Sequence, residues 1–364
     1  MKKHSPASII MTTLLVAAFG WGSAYLVLSG IKALGPETIV VETTPQQAAT
    51  LEATVVNPAV PEPTSAKQSI TVMIGGDIMM DRNIRALGDK NGYETLFDEP
   101  TATLFKNADI AVANLEGPIT SYASKNLING KPIEVLQFTF SPKSRAALTT
   151  AGFDIVSLAN NHTDNFGLPG FKETQDWLND AQISWFGNPW NSTSSSIMRD
   201  TPSDGKSPIA TVITKDGITV AFVGYHVFQK GSDAIAREIK RVSGPNVFTI
   251  VMPHWGEEYV ATSSEKMKGL ATAFINAGAD AVIGAHPHVI MNQDWINGAP
   301  VVYSVGNLLF DQYFSPQVSK GMIAELHLVK DGSGVHLEKM GTHYIHLVRG
   351  KGTVLDDDSV GMRY

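Results

Sequence analysis

Residues 280–289 read Asp-Ala-Val-Ile-Gly-Ala-His-Pro-His-Val. The run up to Ile283 is apolar and β-branched, the pattern of a buried strand. Two imidazoles separated by one residue on an extended chain project to the same side, and Pro287 stiffens the link between them. His286 and His288 therefore suit a pair of metal ligands at the carboxyl end of a strand, where open α/β sheets place their sites. Two surface or capping histidines would explain the same residues, so His-Pro-His decides nothing alone. What shifts the balance is that other strand-like runs in the chain also end in Asp, Glu, Asn or His.

Ile70–Ile74 is one such run; it passes through Gly75-Gly76, which let the backbone turn closely, to Asp77. Residues 109–113 deliver Asn114-Leu115-Glu116-Gly117-Pro118, and 154–158 end in Ala159-Asn160-Asn161-His162-Thr163-Asp164. Residues 247–252 lead into Pro253-His254-Trp255-Gly256, and 301–305 precede Gly306-Asn307. Helical spacing covers 101–106, 141–151, 168–180 and 264–277, the second opened by Ser141-Pro142 and the last closed by Gly278. Hairpins are predicted at 209–225 about Lys215-Asp216-Gly217 and at 322–340 about Lys330-Asp331-Gly332. Polar stretches at 121–132 and 190–208 read as surface excursions. Alternating strands and helices with late hairpins predict a layered α/β domain with a mixed sheet or two packed sheets.

Five strand exits thus carry Asp77, Glu116, Asn161-His162, His254 and His286/His288. The chain has no cysteine, so any metal is held by nitrogen and oxygen, a donor set that suits manganese, zinc or iron better than calcium. Seven candidates exceed the needs of one open tetrahedral ion. They fit two ions roughly 3.5–4 Å apart, bridged by a carboxylate and a water, as in two-metal phosphoester chemistry. A histidine left over can protonate the leaving group. Glu257 and Glu258 read as solvated or as partners that orient an imidazole. Asn307, Asp311 and Gln312 either line the cleft or serve local turns. His226, His327, His336, His343 and His346 read as structural.

With 364 residues, 43% of them hydrophobic and 17% charged, and a formal net charge of −7, the chain is globular in composition. It lacks the basic runs of a nucleic-acid binder. Ser5 to Ile31 contains no Asp, Glu, Lys or Arg, which is long enough to span a bilayer. Ala-Phe-Gly-Trp-Gly-Ser-Ala at 18–24 is a poor cleavage site, so an uncleaved anchor is expected. Lys2 and Lys3 put the amino terminus in the cytoplasm and the rest outside. The expected organisation is an anchor over 1–34, a Pro/Thr-rich tether over 35–68, one domain over 69–350 and a tail over 351–364.

Taken together, Gly76-Asp77-Ile78-Met79, Asn114-Leu115-Glu116, Asn160-Asn161-His162, His254-Trp255-Gly256, His286-Pro287-His288 and Tyr303-Ser-Val-Gly-Asn307 resemble the capsule-synthesis CapA (poly-γ-glutamate synthesis) family. That family is related to calcineurin-like metallophosphoesterases. The resemblance covers about Ile70 to Gly321 and implies a four-layer αββα sandwich. It implies one ion on Asp77, Glu116 and His288, a second on Glu116, Asn161, His254 and His286, and His162 as proton donor. Two positions depart from the pattern. Met79 stands where phosphoesterases usually carry a second histidine ligand, and Asn165 stands where CapA-type chains commonly place an aspartate. The function implied is an anchored, outward-facing hydrolase in capsule or envelope polymer synthesis, acting on an anionic polymer or phosphoester with membrane polymer-synthase subunits as partners. The rival expectations are a non-catalytic outer subunit of such a synthase and, disfavoured by the acidic balance, a binding module for an anionic polymer.

Overall fold

The computed structural model describes residues 68–128, 131–133, 135–191 and 209–356. It opens with β1 (Gln68–Ile78), α1 (Arg82–Asn91), α2 (Glu99–Lys106) and β2 (Ile110–Leu115). A small hairpin, β3 (Leu127–Ile128) and β4 (Lys131–Pro132), precedes α3 (Arg145–Ala151), β5 (Ile155–Ser157), α4 (Gly167–Asp180) and β6 (Ser184–Phe186). Next come β7 (Ala210–Lys215), β8 (Ile218–His226), α5 (Ser232–Val242), β9 (Val247–His254), α6 (Glu265–Asn276) and β10 (Ala281–Ile283). The chain continues through β11 (Gln293–Ile296), β12 (Ala299–Val302), β13 (Asn307–Leu309), β14 (Lys320–Asp331), β15 (Gly334–Val348) and β16 (Gly352–Leu355).

Two mixed sheets result. The first has the order β16-β15-β14-β1-β2-β5-β6 with β13 also paired to β1; the second has the order β11-β12-β10-β9-β8-β7. In each the central pairs are parallel and the late hairpins add antiparallel edges. Strand alternation sorts the side chains into layers. Val72, Ile74, Val112 and Ile155 meet Val220, Phe222, Ile250 and Ile283 between the sheets. Met73, Ala111 and Val156 face Ile84, Phe105, Leu148 and Phe171 on one outside. Val223, Val251 and Val282 face Ile235, Ile239 and Phe274 on the other. The layering is helices, sheet, sheet, helices, the α/β sandwich expected.

Several sequence expectations need correction. Gly75-Gly76 do not form a turn, because β1 runs on to Ile78. Gly76 is needed for close approach: a Cβ there would stand 1.8 Å from the Gly306 carbonyl oxygen. Helices α1 and α5 were not expected. The boundary at 350 falls short, since Gly352–Leu355 pair with β15 and Thr353 is buried. The expected anchor and nearly all of the tether, along with most of the 190–208 excursion, lie outside the described residues. Among the described residues no helix is long and apolar enough to cross a membrane.

Three aspartates fix the register of the parallel strands. Asp109, Asp154 and Asp280 each stand just before a strand that begins apolar. Each donates its backbone N–H to the neighbouring strand, at Thr71, Ala111 and Thr249. Each then accepts the N–H of that same residue on its carboxylate, at 2.7, 2.8 and 2.7 Å. The paired bonds lock a strand start against slippage by one residue, which would turn every core side chain outward. Asp280→Ala strips Thr249 of its acceptor and is expected to cost about 1–3 kcal/mol in chemical unfolding. Burial holds the Asp280 carboxyl up to about 6. Its proton therefore stabilises the fold at low pH, and that contribution is lost as pH rises through about 6. Asp280→Asn should flatten this part of the stability profile between pH 4 and 7; an unchanged profile would refute it.

Candidate metal centre

All seven sequence candidates come together at the carboxyl edge shared by the two sheets. Asp77, Glu116, Asn161 and His162 leave β1, β2 and β5 of the first sheet; His254, His286 and His288 leave β9 and β10 of the second. Asp77, Glu116, His254, His286 and His288 are 0, 1, 1, 4 and 3% exposed. Two groupings place one ligand atom from each residue within 4.8 Å of the others: Glu116 with His286 and His288, and Asp77 with Glu116 and His254. Glu116 belongs to both.

The pairwise distances give the same centre. His254 Nε2 stands 2.7 Å from Asn161 Oδ1, 3.1 Å from His286 Nδ1 and 3.9 Å from Glu116 Oε1. His288 presents Nδ1 at 3.4 Å to Asp77 Oδ2 and Nε2 at 3.8 Å to Glu116 Oε1. These contacts bring the implied ligands into one centre, but the two groupings divide them differently from the sets the resemblance implies, placing His254 with Asp77 and His288 with His286.

The expected reason for the convergence of His286 and His288 does not hold. They are not on extended chain: their φ angles are +96° and +57°, in a region that costs an L-residue roughly 1–2 kcal/mol. Left-handed bends on both sides of Pro287 aim the rings inward, with centroids 5.8 Å apart. Backbone strain of this kind gathers where function demands a particular direction.

Amides missed or undervalued in the sequence hold the ligands in place. Asn114 donates to Asp77 Oδ1 at 2.7 Å and lies 3.3 Å from His254 Nδ1. Asn160 donates to Asn114 Oδ1 and to the Leu115 carbonyl, while its own Oδ1 accepts the N–H groups of His162 and Thr163. Asn307 donates through Nδ2 to Val318 O and Gln312 Oε1, which turns Oδ1 toward His288 Nδ1 at 2.9 Å. His288 therefore carries its proton on Nδ1 and offers a bare Nε2 to the centre. Each of these amides lies within a motif quoted above, but only Asn307 was singled out for the cleft.

His162 is set in the same way. The Phe138 N–H donates to Asn165 Oδ1 at 2.7 Å, which identifies that atom as oxygen. His162 Nδ1, 3.2 Å away, must then be the donor. Its Nε2 is bare and lies 4.0 Å from Glu116 Oε1. The stretch 121–140 is thus more than a surface loop. Buried Asp81 accepts from Ser124, Asn126 and the Thr139 N–H, pinning the excursion so that Phe138 packs 4.3 Å from the His162 ring. Met79, in place of an expected second histidine, is buried and accepts the Asp81 N–H on its sulfur at 3.1 Å.

Charge decides what the centre is for. Both carboxylate oxygens of Glu116 are buried and have no hydrogen-bond partner among the described residues. Burial, then the neighbouring Asp77, pushes the Glu116 carboxyl well above its usual range. Burial and the neighbouring histidines hold His254 well below its usual range, and burial holds His286 and His162 down to about 4. Neutral imidazoles and an orphaned carboxylate fit divalent cations, which supply the missing positive charge.

The centre opens into a cleft of about 840 Å³ lined by Arg82, Glu258, Tyr259, Phe310 and Phe314 among others. Without metal, the raised pKa of Glu116 means that stability held at low pH is lost as the carboxyl is forced to ionise with rising pH. Glu116→Gln is expected to raise the melting temperature of the metal-free protein near pH 8 by about 5 °C or more. The gain should shrink toward pH 4. Manganese should raise the melting temperature of the wild type and not of the variant; equal melting curves and equal metal responses would refute the assignment.

The family model for "Bacterial capsule synthesis protein PGA_cap" matches residues 71–312. The chain is similar to the capsule biosynthesis protein CapA of Bacillus anthracis, 29% identical over 281 residues, 74% of this chain and 66% of that protein. It is also similar to the PGA biosynthesis protein CapA of Bacillus subtilis, 27% identical over 276 residues, 71% of this chain and 68% of that protein. It thus spans about two thirds of the length of these relatives. Among solved structures it is similar to the calcineurin-like phosphoesterase YfkN from Bacillus subtilis, with a TM-score of 0.44, 15% identity, and coverage of 76% of this chain and 90% of that one. A hypothetical protein from Thermus thermophilus gives a TM-score of 0.45 at 16% identity, covering 76% of this chain and 98% of that one. Matched across well over half of its length, from Thr71 to Gln312, the chain belongs to the bacterial capsule synthesis protein family PGA_cap.

Proposed function

We propose that the chain is a metal-dependent hydrolase of phosphoesterase type, working on an anionic polymer or phosphoester during capsule, poly-γ-glutamate or envelope polymer synthesis. It would act at the outer face of the cell membrane, anchored through residues 1–34, beside membrane polymer-synthase subunits. The observation that carries the chemistry is the orphaned Glu116 carboxylate among three buried histidines and Asp77. Two divalent ions, manganese, zinc or iron, would be held by Asp77, Glu116, Asn161, His254, His286 and His288. When bound they supply a water of lowered pKa and charge for the oxygens of a phosphoester.

The chain's own residues do the rest. Asn114 and the His286 N–H, donating at 2.7 and 3.0 Å, orient Asp77. Phe138 and Phe310 pack beside the His162 and His288 rings at the mouth of the centre. His162, neutral at pH 7 because burial holds it down to about 4, takes up a proton on its bare Nε2 before it can pass one to the leaving oxygen.

A second view has one observation in its favour. Met79 turns its sulfur to the Asp81 backbone instead of adding a ligand beside Asp77, as in a fold retained as a non-catalytic outer subunit. The two views part on the full-length protein. Metal-loaded wild type should hydrolyse p-nitrophenyl phosphate or its diester, and His162→Gln should lose about 10²–10⁴ in kcat while keeping its metal. Protein without metal and without turnover, together with full polymer yield in a His162→Gln strain, would overturn the hydrolase and favour the subunit. Asn165→Asp places a charge beside His162 Nδ1 and favours the imidazolium. The alkaline limb of the kcat profile, where the protonated donor is lost, should move up by about one pH unit or more, and an unmoved limb would remove His162 from the proton path.

A further inference from the structure

Arg82 belongs to none of the motifs that lead to the metal centre, yet its surroundings hold a guanidinium beside that centre. It follows the helix-capping Asp81 and has φ +50°, an uncommon conformation for a long side chain. Its guanidinium lies 5.2 Å over the Phe138 ring and 5.5 Å over the Phe310 ring. Those rings in turn pack 4.3 Å from His162 and 4.8 Å from His288. Asp311 pairs with one terminal nitrogen, and the remaining Asp311 oxygen accepts from the Asn83 N–H and side chain at 3.2 and 2.9 Å. The Arg82 and Asp311 side chains are only 11 and 3% exposed.

This is more than a staple between α1 and the 310–314 segment. A guanidinium has five N–H donors, and Asp311 faces only one edge. Arg82 Nε is buried with no hydrogen-bond partner among the described residues. Arg82 lines the cleft together with Glu116 and His162, and its charge is felt by both. Two aromatic faces and a carboxylate remove the freedom of the side chain in advance, so little further order is lost when it meets a planar or tetrahedral oxyanion.

We propose that Arg82 is a substrate-binding residue, whose spare N–H groups grip an oxygen of the phosphate or carboxylate presented to the centre. The inference rests on the hydrolase view for the chemistry next door, and on the cleft alone for its own charge. The test uses the full-length chain, loaded with manganese and also metal-free, titrated calorimetrically with inorganic phosphate and separately with acetate. The tighter probe identifies the kind of oxyanion. Arg82→Gln should bind that probe about tenfold or more weakly with unchanged metal content, and its affinity should depend less on salt than that of the wild type. Arg82→Lys keeps the charge and the stem, guards against misfolding, and should recover part of the affinity. The inference is overturned if Arg82→Gln or, should that variant fail to fold, Arg82→Lys binds both probes as the wild type does. It is equally overturned if the wild type binds neither. Metal content decides the hydrolase view separately: metal-free protein that still grips phosphate through Arg82 would sink that view and keep this one.

Discussion

Two carboxylates and three imidazoles share a space that water barely enters, and the surrounding architecture answers to that fact. Asp77 has its own donors in Asn114 and the His286 N–H; Glu116 has none. Taking an ion out of water costs several kcal/mol unless another charge meets it. The imidazoles near Glu116 include His254, whose charged form burial and the neighbouring histidines disfavour, and His162, which burial holds down to about 4. Arg82 lends some positive charge from the cleft, divalent cations would supply the rest, and the amides around the centre hold the ligands in readiness for them. Asn307 and Asn165 set which ring nitrogen of His288 and His162 is bare. The strained backbone at His286 and His288 is another part of the same arrangement.

Much of this was legible in the chain. The apolar runs ending in Asp77, Glu116, Asn161, His254 and His288 located strands and site together, because buried parallel strands read as continuous hydrophobic runs whose exits bear the chemistry. What was not legible falls into two kinds. Helix α1 is hydrophilic, with Ile84 and Gly88 as its buried residues, so its periodic signal was faint. Helix α5 did carry a usable stripe, Ile235, Ile239 and Val242, and could have been found by counting. The excursion at 121–132 looked like solvent-exposed loop because Ser124 and Asn126 are ordered by Asp81, far away in sequence, and not by local spacing.

The histidine pair shows the other kind of limit. Alternation along a strand suggested the right partners for a wrong reason, since the chain has left the strand by Ala285 and bends twice. Periodicity describes regular backbone, and sites are often built where regularity stops. Arg82 was invisible, and the role of Asn114 within its motif unread, for a related reason. Their importance lies in what they touch across the fold, which their local sequence does not show.

The ligands divide between the sheets: Asp77, Glu116 and Asn161 on one, His254, His286 and His288 on the other. Any cation bound there becomes a rivet through the top of the sandwich, joining two layers that otherwise adhere mainly through apolar contact. At the far rim the two halves are joined by the Val335 N–H donating to the Pro245 carbonyl and by Lys330 Nζ donating to the Gly217 carbonyl. A bound cation would thus fasten the rim that carries the chemistry, while hydrogen bonds and packing hold the opposite one.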